Sequence, residues 1–318
     1  MTHVVVEAPA KLIVFGGYGL LIGAPGLAVP LRRKVRVELG PESSDTFCLE
    51  AIVNAQGSRV EGASRILVHA LASFTPPLQA RELAALGIQF DSSQVERDGH
   101  KLGLGGSAAL MVAACEALAK ACQRQSPSFE QVDRAHRALQ GGLGSGIDVA
   151  VSWSRAPVVL RRFPSGSLWW RPSSLRLPAW RAYSLGGQLP TFVGLERARP
   201  LLAEPPPEWR RVAQLQELLW ALMRLGALRP QLRLFAALEA ALAQLGERLG
   251  IDIVCARHRA LSQLAGAHAL VSIPSGAGGG ELSLVLGEPT AMPSWDEVAS
   301  AAGYLEVARF DGEMAGAC

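Results

Sequence analysis

Lysine is nearly absent from this chain. Only Lys11, Lys34, Lys101 and Lys120 stand among 31 basic residues, arginine supplying the rest. Such a bias reflects codon composition, but it singles out each lysine. Cysteine is sparse too. The five (Cys48, Cys115, Cys122, Cys255, Cys318) are odd in number and form no CxxC pair. That argues against a disulfide framework and a zinc site, and makes a reducing, cytoplasmic setting the expectation. Charge of one sign is lacking: the net charge is +3, which argues against a nucleic-acid surface. Phosphate-loop motifs of the GxxxxGK[ST] type are also missing. One uncharged run, Leu12 to Leu31, has the length of a membrane span. It holds Gly16, Gly17, Gly19, Gly23, Pro25, Gly26 and Pro30, which favour strand and turn over helix. Glu7 precedes it and Arg32-Arg33-Lys34 follows, the wrong order for a signal peptide. Neither a membrane nor an export role is expected.

Apolar residues are plentiful. At 49% hydrophobic and 19% charged, the 318 residues suffice for one large or two moderate cores. Short strands are expected at His3 to Glu7, Leu12 to Phe15, Phe47 to Val53 and Gly87 to Asp91, and a strand pair or one long bent strand at Leu27 to Leu39. Helices are expected from Ser64 to Leu71, from Ser107 to Cys122 and from Phe129 to Gln140, the last capped by Ser126 or Ser128. Val158 to Phe163 and Leu168 to Arg171 read as strands, and Pro205-Pro206-Pro207 as a linker. Helical patterns follow from Glu208 to Leu225, Pro230 to Leu249 and Val254 to Ala265. Apolar segments at Ala269 to Ile273 and Leu282 to Leu286 flank a last glycine cluster. Strands come first and helices later, without steady βαβ alternation, so the expected class is α+β.

Three glycine clusters carry the chemistry. Gly103-Leu104-Gly105-Gly106 opens into Ser107-Ala108-Ala109 at a helix start. Glycines let successive N–H groups converge, and a first helical turn adds unpaired N–H groups and partial positive charge. Together they form a phosphate cradle, with the Ser107 hydroxyl in reach of a phosphate oxygen or Mg²⁺. A structural loop with Ser107 as helix cap is the alternative. The second cluster, Gly141 to Gly146, leads to Asp148, an acidic residue beside apolar Val149-Ala150-Val151. Lys11 is similarly placed, before Leu12-Ile13-Val14-Phe15. A buried charge is costly unless partnered, and an Asp148–Lys11 pair would satisfy both. It would also let the carboxylate take a proton from a hydroxyl. A purely structural ion pair is the other reading. The third cluster, Pro274 to Gly280, has more glycines than a hairpin needs, which favours close backbone approach to a ligand over a flexible turn.

Taken in order, these clusters resemble the motifs of the GHMP kinases. The first motif is matched by Ala8 to Gly16 around Lys11, the second by Gly103 to Ala109 and the third by Pro274 to Gly280. Within that superfamily the chain looks most like the phosphomevalonate kinases, through Ala135 to Gly141, Gly144 to Ala150, Leu160 to Phe163 and Leu185 to Thr191. The resemblance implies a ribosomal S5 domain 2-like N-terminal domain over 1–180 and a ferredoxin-like domain over 181–318, with ATP and Mg²⁺. It implies Asp148 as catalytic base and Lys11 as its tuner. It also implies Lys101, Gly103, Leu104, Gly105, Gly106, Ser107 and Ala108 as the nucleotide site, with Ser107 facing the metal. On the side of the small anionic acceptor it implies Tyr18, Ser145, Gly146, Ser275, Gly276, Ala277 and Gly278.

An anionic acceptor such as phosphomevalonate calls for basic side chains, for which Arg161, Arg162 and Lys101 are the candidates. Alternation along a strand sends Arg161 and Arg162 to opposite faces. Some positions depart from the family pattern. Gly17-Tyr18 follows the first motif's glycine, Gly106 replaces a serine, and Ile273 and Glu281 flank the third motif. Arg137 stands eleven residues before Asp148, where mevalonate kinases carry a Mg²⁺-binding glutamate. Mevalonate kinase or another small-molecule kinase, and a non-catalytic nucleotide-binding homologue, remain the alternatives. A hydrolase using Ser107, His136 and Asp148 lacks the GxSxG elbow. A monomer or homodimer is expected.

Overall fold

A computed structural model describes residues 3–41, 47–48, 63–83, 86–97, 100–163, 165–173, 176–187 and 191–311. The chain forms two compact units, neither continuous in sequence. The first is Met1–Lys11 with Pro30–Arg155, the second Leu12–Val29 with Ala156–Cys318.

In the first unit, β1 (Val4–Phe15) enters with Val4 and Val6 buried and Val5 and Glu7 exposed. From Ala8 onward every residue of the strand is buried, as in a strand covered on both faces. The two strands expected at residues 3–7 and 12–15 are therefore one, Pro9 biasing Ala8 between them toward extended backbone. Strand β2 (Gly26–Pro41) is likewise single, and β3 (Phe47–Cys48) follows it. The rest of the strand expected at 47–53 lies outside the described residues. After α1 (Ala63–Ala72) and α2 (Ala80–Leu83), β4 (Leu86–Asp91) pairs antiparallel with β2, from Arg36 opposite Asp91 to Pro41 opposite Leu86. Strand β3 pairs with β4 at Phe47 and Ile88. A small hairpin, β5 (Glu96–Arg97) and β6 (His100–Lys101), precedes the glycine loop.

Three helices complete this unit: α3 (Gly106–Ala121), α4 (Phe129–Leu139) and α5 (Ile147–Ser154). Helix α1 packs on α3 and α4, and both of these pack on α5. Helix α3 is apolar on all sides, and residues 108–115 are buried without a break. A helix of that composition belongs in the middle of a core. Each fully buried Leu or Met there contributes about 1.5–3 kcal/mol relative to exposure. Helix α4 starts on a capping box, in which Ser128 and Gln131 satisfy each other's backbone N–H groups.

In the second unit, Gly26 to Ala28 of β2 pair antiparallel with β7 (Val158–Arg162), and β7 pairs with β8 (Leu168–Pro172). Next come β9 (Ala179–Ser184), α6 (Thr191–Ala198), α7 (Pro207–Leu225), α8 (Leu228–Leu249) and α9 (Ala256–Ala267). The chain finishes with β10 (Val271–Pro274), β11 (Leu282–Gly287), α10 (Met292–Ala301) and β12 (Leu305–Phe310). These last strands and β9 form an antiparallel sheet in the order β10-β11-β9-β12. Tyr183, Val285, Leu261, Met292 and Trp295 build the core between this sheet and helices α9 and α10.

The three prolines expected as a linker instead start a helix: Pro206 is the N-cap of α7 and Pro207 its first residue. Proline fits there because its missing N–H is not needed in the first turn. Strand β9 has no clear sequence signal because Arg181 interrupts its apolar pattern. That guanidinium is 2% exposed and held by Asp296, with Asp311 and Glu306 close by. Among the described residues, no helix is long and apolar enough to cross a membrane. The helices and the antiparallel sheets are segregated, so the α+β class holds.

Candidate active site

Lys11 is the pivot of the first unit's glycine loop. Its backbone N–H donates to the carbonyl of Leu104 at 2.9 Å, which pins the loop to β1. Its side chain is buried, and Nζ lies 3.4 Å from Oδ1 of Asp148. Gly105, the N-cap of α3, has φ 73°, a left-handed conformation suited to glycine. A Cβ there would lie 2.5 Å from Cε of Lys11, so this glycine also makes room for the lysine. No side chain caps α3, and Gly106 and Ser107 stand in its first turn. The expectation that Ser107 serves as a structural cap is thereby set aside. Converging backbone N–H groups at an uncapped helix start form an anion site.

Asp148 enters through α5, a helix that the sequence does not signal. Gly146 at φ 81° turns the chain into it, and no side chain caps it. Asp148 sits in the first turn of this helix. The Ser152 hydroxyl donates to the Pro9 carbonyl at 2.9 Å and ties α5 to β1. The Asp148 Oδ1 atom is buried and accepts no hydrogen bond among the described residues, leaving the Lys11 ammonium as its counterpart. Ser145 lies just before α5, and its hydroxyl accepts from the Ile147 N–H at 3.4 Å.

His136, on α4, enters the sequence reading only as the base of a hydrolase. It is 2% exposed, and its Nε2 lies 3.2 Å from the hydroxyl of Ser107. Burial pushes its pKa below the ordinary imidazole value, against the pull of Asp148 and Asp133. The hydrolase reading needs Asp148 to orient this ring, whereas the carboxylate's ion pair is with Lys11. Lys101 lies on β6, exposed, opposite Glu96.

The donor set can be tested against Mg²⁺. Among the described residues no three His, Cys, Asp or Glu side chains gather as a metal cage. Mg²⁺ does not need one, since it keeps water and phosphate oxygens and takes one or two oxygens from protein. Ser107 Oγ and the unsatisfied Oδ1 of Asp148 are such hard oxygens, so the residues fit the ion.

The remaining candidates lie in the second unit. Tyr18 is 3% exposed, and its hydroxyl donates to the Ala277 carbonyl at 3.2 Å. Burial pushes its pKa up. Trp209 donates from Nε1 to the Tyr18 carbonyl at 2.8 Å, and Gln216 from Nε2 to the Gly16 carbonyl at 2.8 Å. Ser275 is buried and donates its hydroxyl to the Ile13 carbonyl at 2.8 Å. Gly276 and Gly278 have positive φ, and a Cβ on Gly278 would meet the Ile253 carbonyl at 2.5 Å. The chain's own packing therefore requires glycine at 278, a reason that the ligand argument for this cluster missed. Arg161 grips Glu217 with both terminal nitrogens, at 2.6 and 2.5 Å, and stacks over Trp220. Arg162 is buried and reaches the Gly166 carbonyl at 3.5 Å.

Known proteins share this framework. Residues 80–155 match the family described as GHMP kinases N terminal domain. No curated protein matches the sequence significantly. Among solved structures, a Lin0012 protein from Listeria innocua is 15% identical with a TM-score of 0.77, over 97% of this chain and 98% of that one. Phosphomevalonate kinase from Streptococcus pneumoniae, solved with phosphomevalonate and AMPPNP, is 15% identical with a TM-score of 0.71, over 96% and 99%. Mevalonate kinase from L. major, solved with R-mevalonate, is 16% identical with a TM-score of 0.67, over 96% and 95%. At such identities the likeness is one of fold, and it spans nearly the whole chain. Residues 80–155 thus match the GHMP kinase N-terminal domain, and the fold of nearly the whole chain is shared with these solved kinases.

Proposed function

We propose that this protein transfers a phosphoryl group from ATP to a small anionic acceptor, phosphomevalonate foremost. The observation that carries the reading is the buried Lys11–Asp148 pair, held beside the uncapped, glycine-led start of α3. A solved neighbour of the same fold, the S. pneumoniae enzyme, holds phosphomevalonate and a nucleotide analogue. The sequence likeness to phosphomevalonate kinases at 135–150 and 160–163 points the same way.

In the reaction, the bond between the γ-phosphorus and the leaving oxygen of ADP breaks as a bond to the acceptor oxygen forms. Phosphoryl transfer asks the protein mainly to position groups and offset charge. The N–H groups at Gly106 and Ser107 bind phosphate oxygens. Ser107 Oγ would be the protein oxygen that holds Mg²⁺, which would supply positive charge to offset that of the phosphates. Asp148 orients the acceptor. If the attacking group is a hydroxyl, Asp148 takes its proton, and Lys11 holds the carboxylate in place through their ion pair. A phosphate acceptor arrives ionised and needs no base. On the acceptor side the reading keeps Tyr18, Ser145, Gly146, Arg161, Arg162 and the loop from Ser275 to Gly278. The setting proposed is the cytoplasm, with Cys115, Cys122 and Cys255 as free thiols.

The test is a panel of acceptors with ATP and Mg²⁺, scored by ADP release. Turnover is expected on phosphomevalonate and not on mevalonate or sugars. Turnover on mevalonate alone would reassign the acceptor. Nucleotide binding without turnover on any acceptor would favour a non-catalytic homologue, for which the departures at Gly17 and Gly106 speak.

A further inference from the structure

One buried group near the candidate site is left unused by the proposed mechanism. His136 on α4 is 2% exposed, and its ring Nε2 shares a hydrogen bond with Ser107 Oγ, 3.2 Å away. Two arrangements satisfy that distance. If Nε2 carries the proton, it donates to Oγ, and the serine hydroxyl is left to donate to a phosphate. If Nε2 is bare, the serine hydroxyl donates to it, and the lone pairs of Oγ stay available to accept or to bind a cation. The tautomer of one buried ring therefore decides what Ser107 can offer a ligand.

We infer that His136 is a positioning residue that accepts the Ser107 hydroxyl proton at Nε2 and so presents Oγ as a cation ligand. The inference rests on the proposed use of this loop for a nucleotide with Mg²⁺. Two observations favour this arrangement over its reverse. The first turn of α3 is uncapped and already supplies backbone donors at Gly106 and Ser107, so a further donor adds little. Hard oxygen acceptors are few here: among the described residues no three metal-ligating side chains cluster, and Asp148 Oδ1, the other oxygen open to a cation, is shared with the Lys11 ammonium. A hydroxyl whose proton is tied down supplies the missing acceptor.

The tests use the full chain. In ¹⁵N-histidine spectra of the nucleotide-free protein, assigned with His136→Gln, His136 is expected to carry its proton on Nδ1. A ring protonated at Nε2 overturns the inference, whether or not the protein is a kinase. Affinity for AMPPNP, measured by calorimetry with and without Mg²⁺, supplies the second readout. His136→Leu is expected to lose about tenfold in affinity with Mg²⁺, the size of one hydrogen bond, and less than twofold without it. Ser107→Ala should show the same split, and the double variant no further loss. His136→Gln, which keeps an acceptor near the Nε2 position, should restore the Mg²⁺-dependent part. Equal losses with and without Mg²⁺, or additive losses, would mean that His136 merely packs, and would overturn the inference. If His136→Leu does not fold, the tautomer of the wild-type ring still decides. Absence of any AMPPNP binding by the wild type overturns the kinase reading, and with it the Mg²⁺-ligand role assigned to Ser107.

Discussion

Lys11 fills the space that a Cβ on Gly105 would need: that atom would lie 2.5 Å from Cε and 2.8 Å from Cγ of the lysine. The glycine that allows the loop before α3 to turn thus also allows the lysine to pass beneath it toward Asp148.

Gly105→Ala should therefore cost more than a left-handed glycine elsewhere. Gly141 offers the control, with nearly the same φ and nothing within 4 Å of where a Cβ would sit. Either substitution carries a left-handed strain of about 1–2 kcal/mol. Gly105→Ala adds an overpacking cost of about 1–3 kcal/mol and should lower turnover as well. Urea denaturation of both variants checks this, and equal destabilisation would show that the lysine moves aside freely.

Asp148→Ala should lower turnover by orders of magnitude while AMPPNP affinity stays within about threefold, because the backbone cradle is intact. Near-normal turnover removes Asp148 from the chemistry. The variant should also lose about 1–3 kcal/mol of stability, since the Lys11 ammonium is left buried without its partner. Adding Lys11→Met should recover part of that loss; a double variant less stable than Asp148→Ala would contradict the pairing.

Gly19 and Gln216 are coupled in the same manner. A Cβ on Gly19 would sit 1.8 Å from Gln216 Oε1, and the amide of Gln216 supports the Gly16 carbonyl. Gln216→Ala should cost about 1 kcal/mol by removing the stronger of two hydrogen bonds to that carbonyl, the other coming from the Leu20 N–H at 3.3 Å. Gly19→Ala should be more damaging in the wild type than in the Gln216→Ala background. A thermal-melt cycle measures the coupling, and simple additivity would refute it.

Acid should weaken the fold through His136. Burial holds its folded-state pKa below the unfolded value of about 6.5. The unfolded chain then binds more protons between the two values, so stability is full above the unfolded pKa and declines as pH falls through this window. His136→Gln should flatten that slope between about pH 6.5 and the lower folded pKa. An unchanged slope in equilibrium unfolding would show that the ring is not held neutral.

Much of this is legible in one dimension. The apolar run from Ala108 to Cys115 marks a buried helix because eight consecutive apolar residues cover every face of its first turns. The capping residues of α4 and the glycines before α3 show where those helices begin. Helix α5 leaves no such trace because it is only eight residues long and starts on a glycine rather than a capping side chain. Strand β9 is hidden because Arg181 breaks its apolar run, and the carboxylates that hold it come from the end of the chain.

Sequence alone determined most of the helices, the α+β class and the candidates Lys11, Ser107 and Asp148, because periodicity and isolated charge are local properties of the chain. Only the folded structure decided that the Lys11 ammonium meets Asp148, that Gly105 yields space to that lysine, and that His136 holds the Ser107 hydroxyl. Those relationships join residues distant in sequence, and packing alone sets the distances between them.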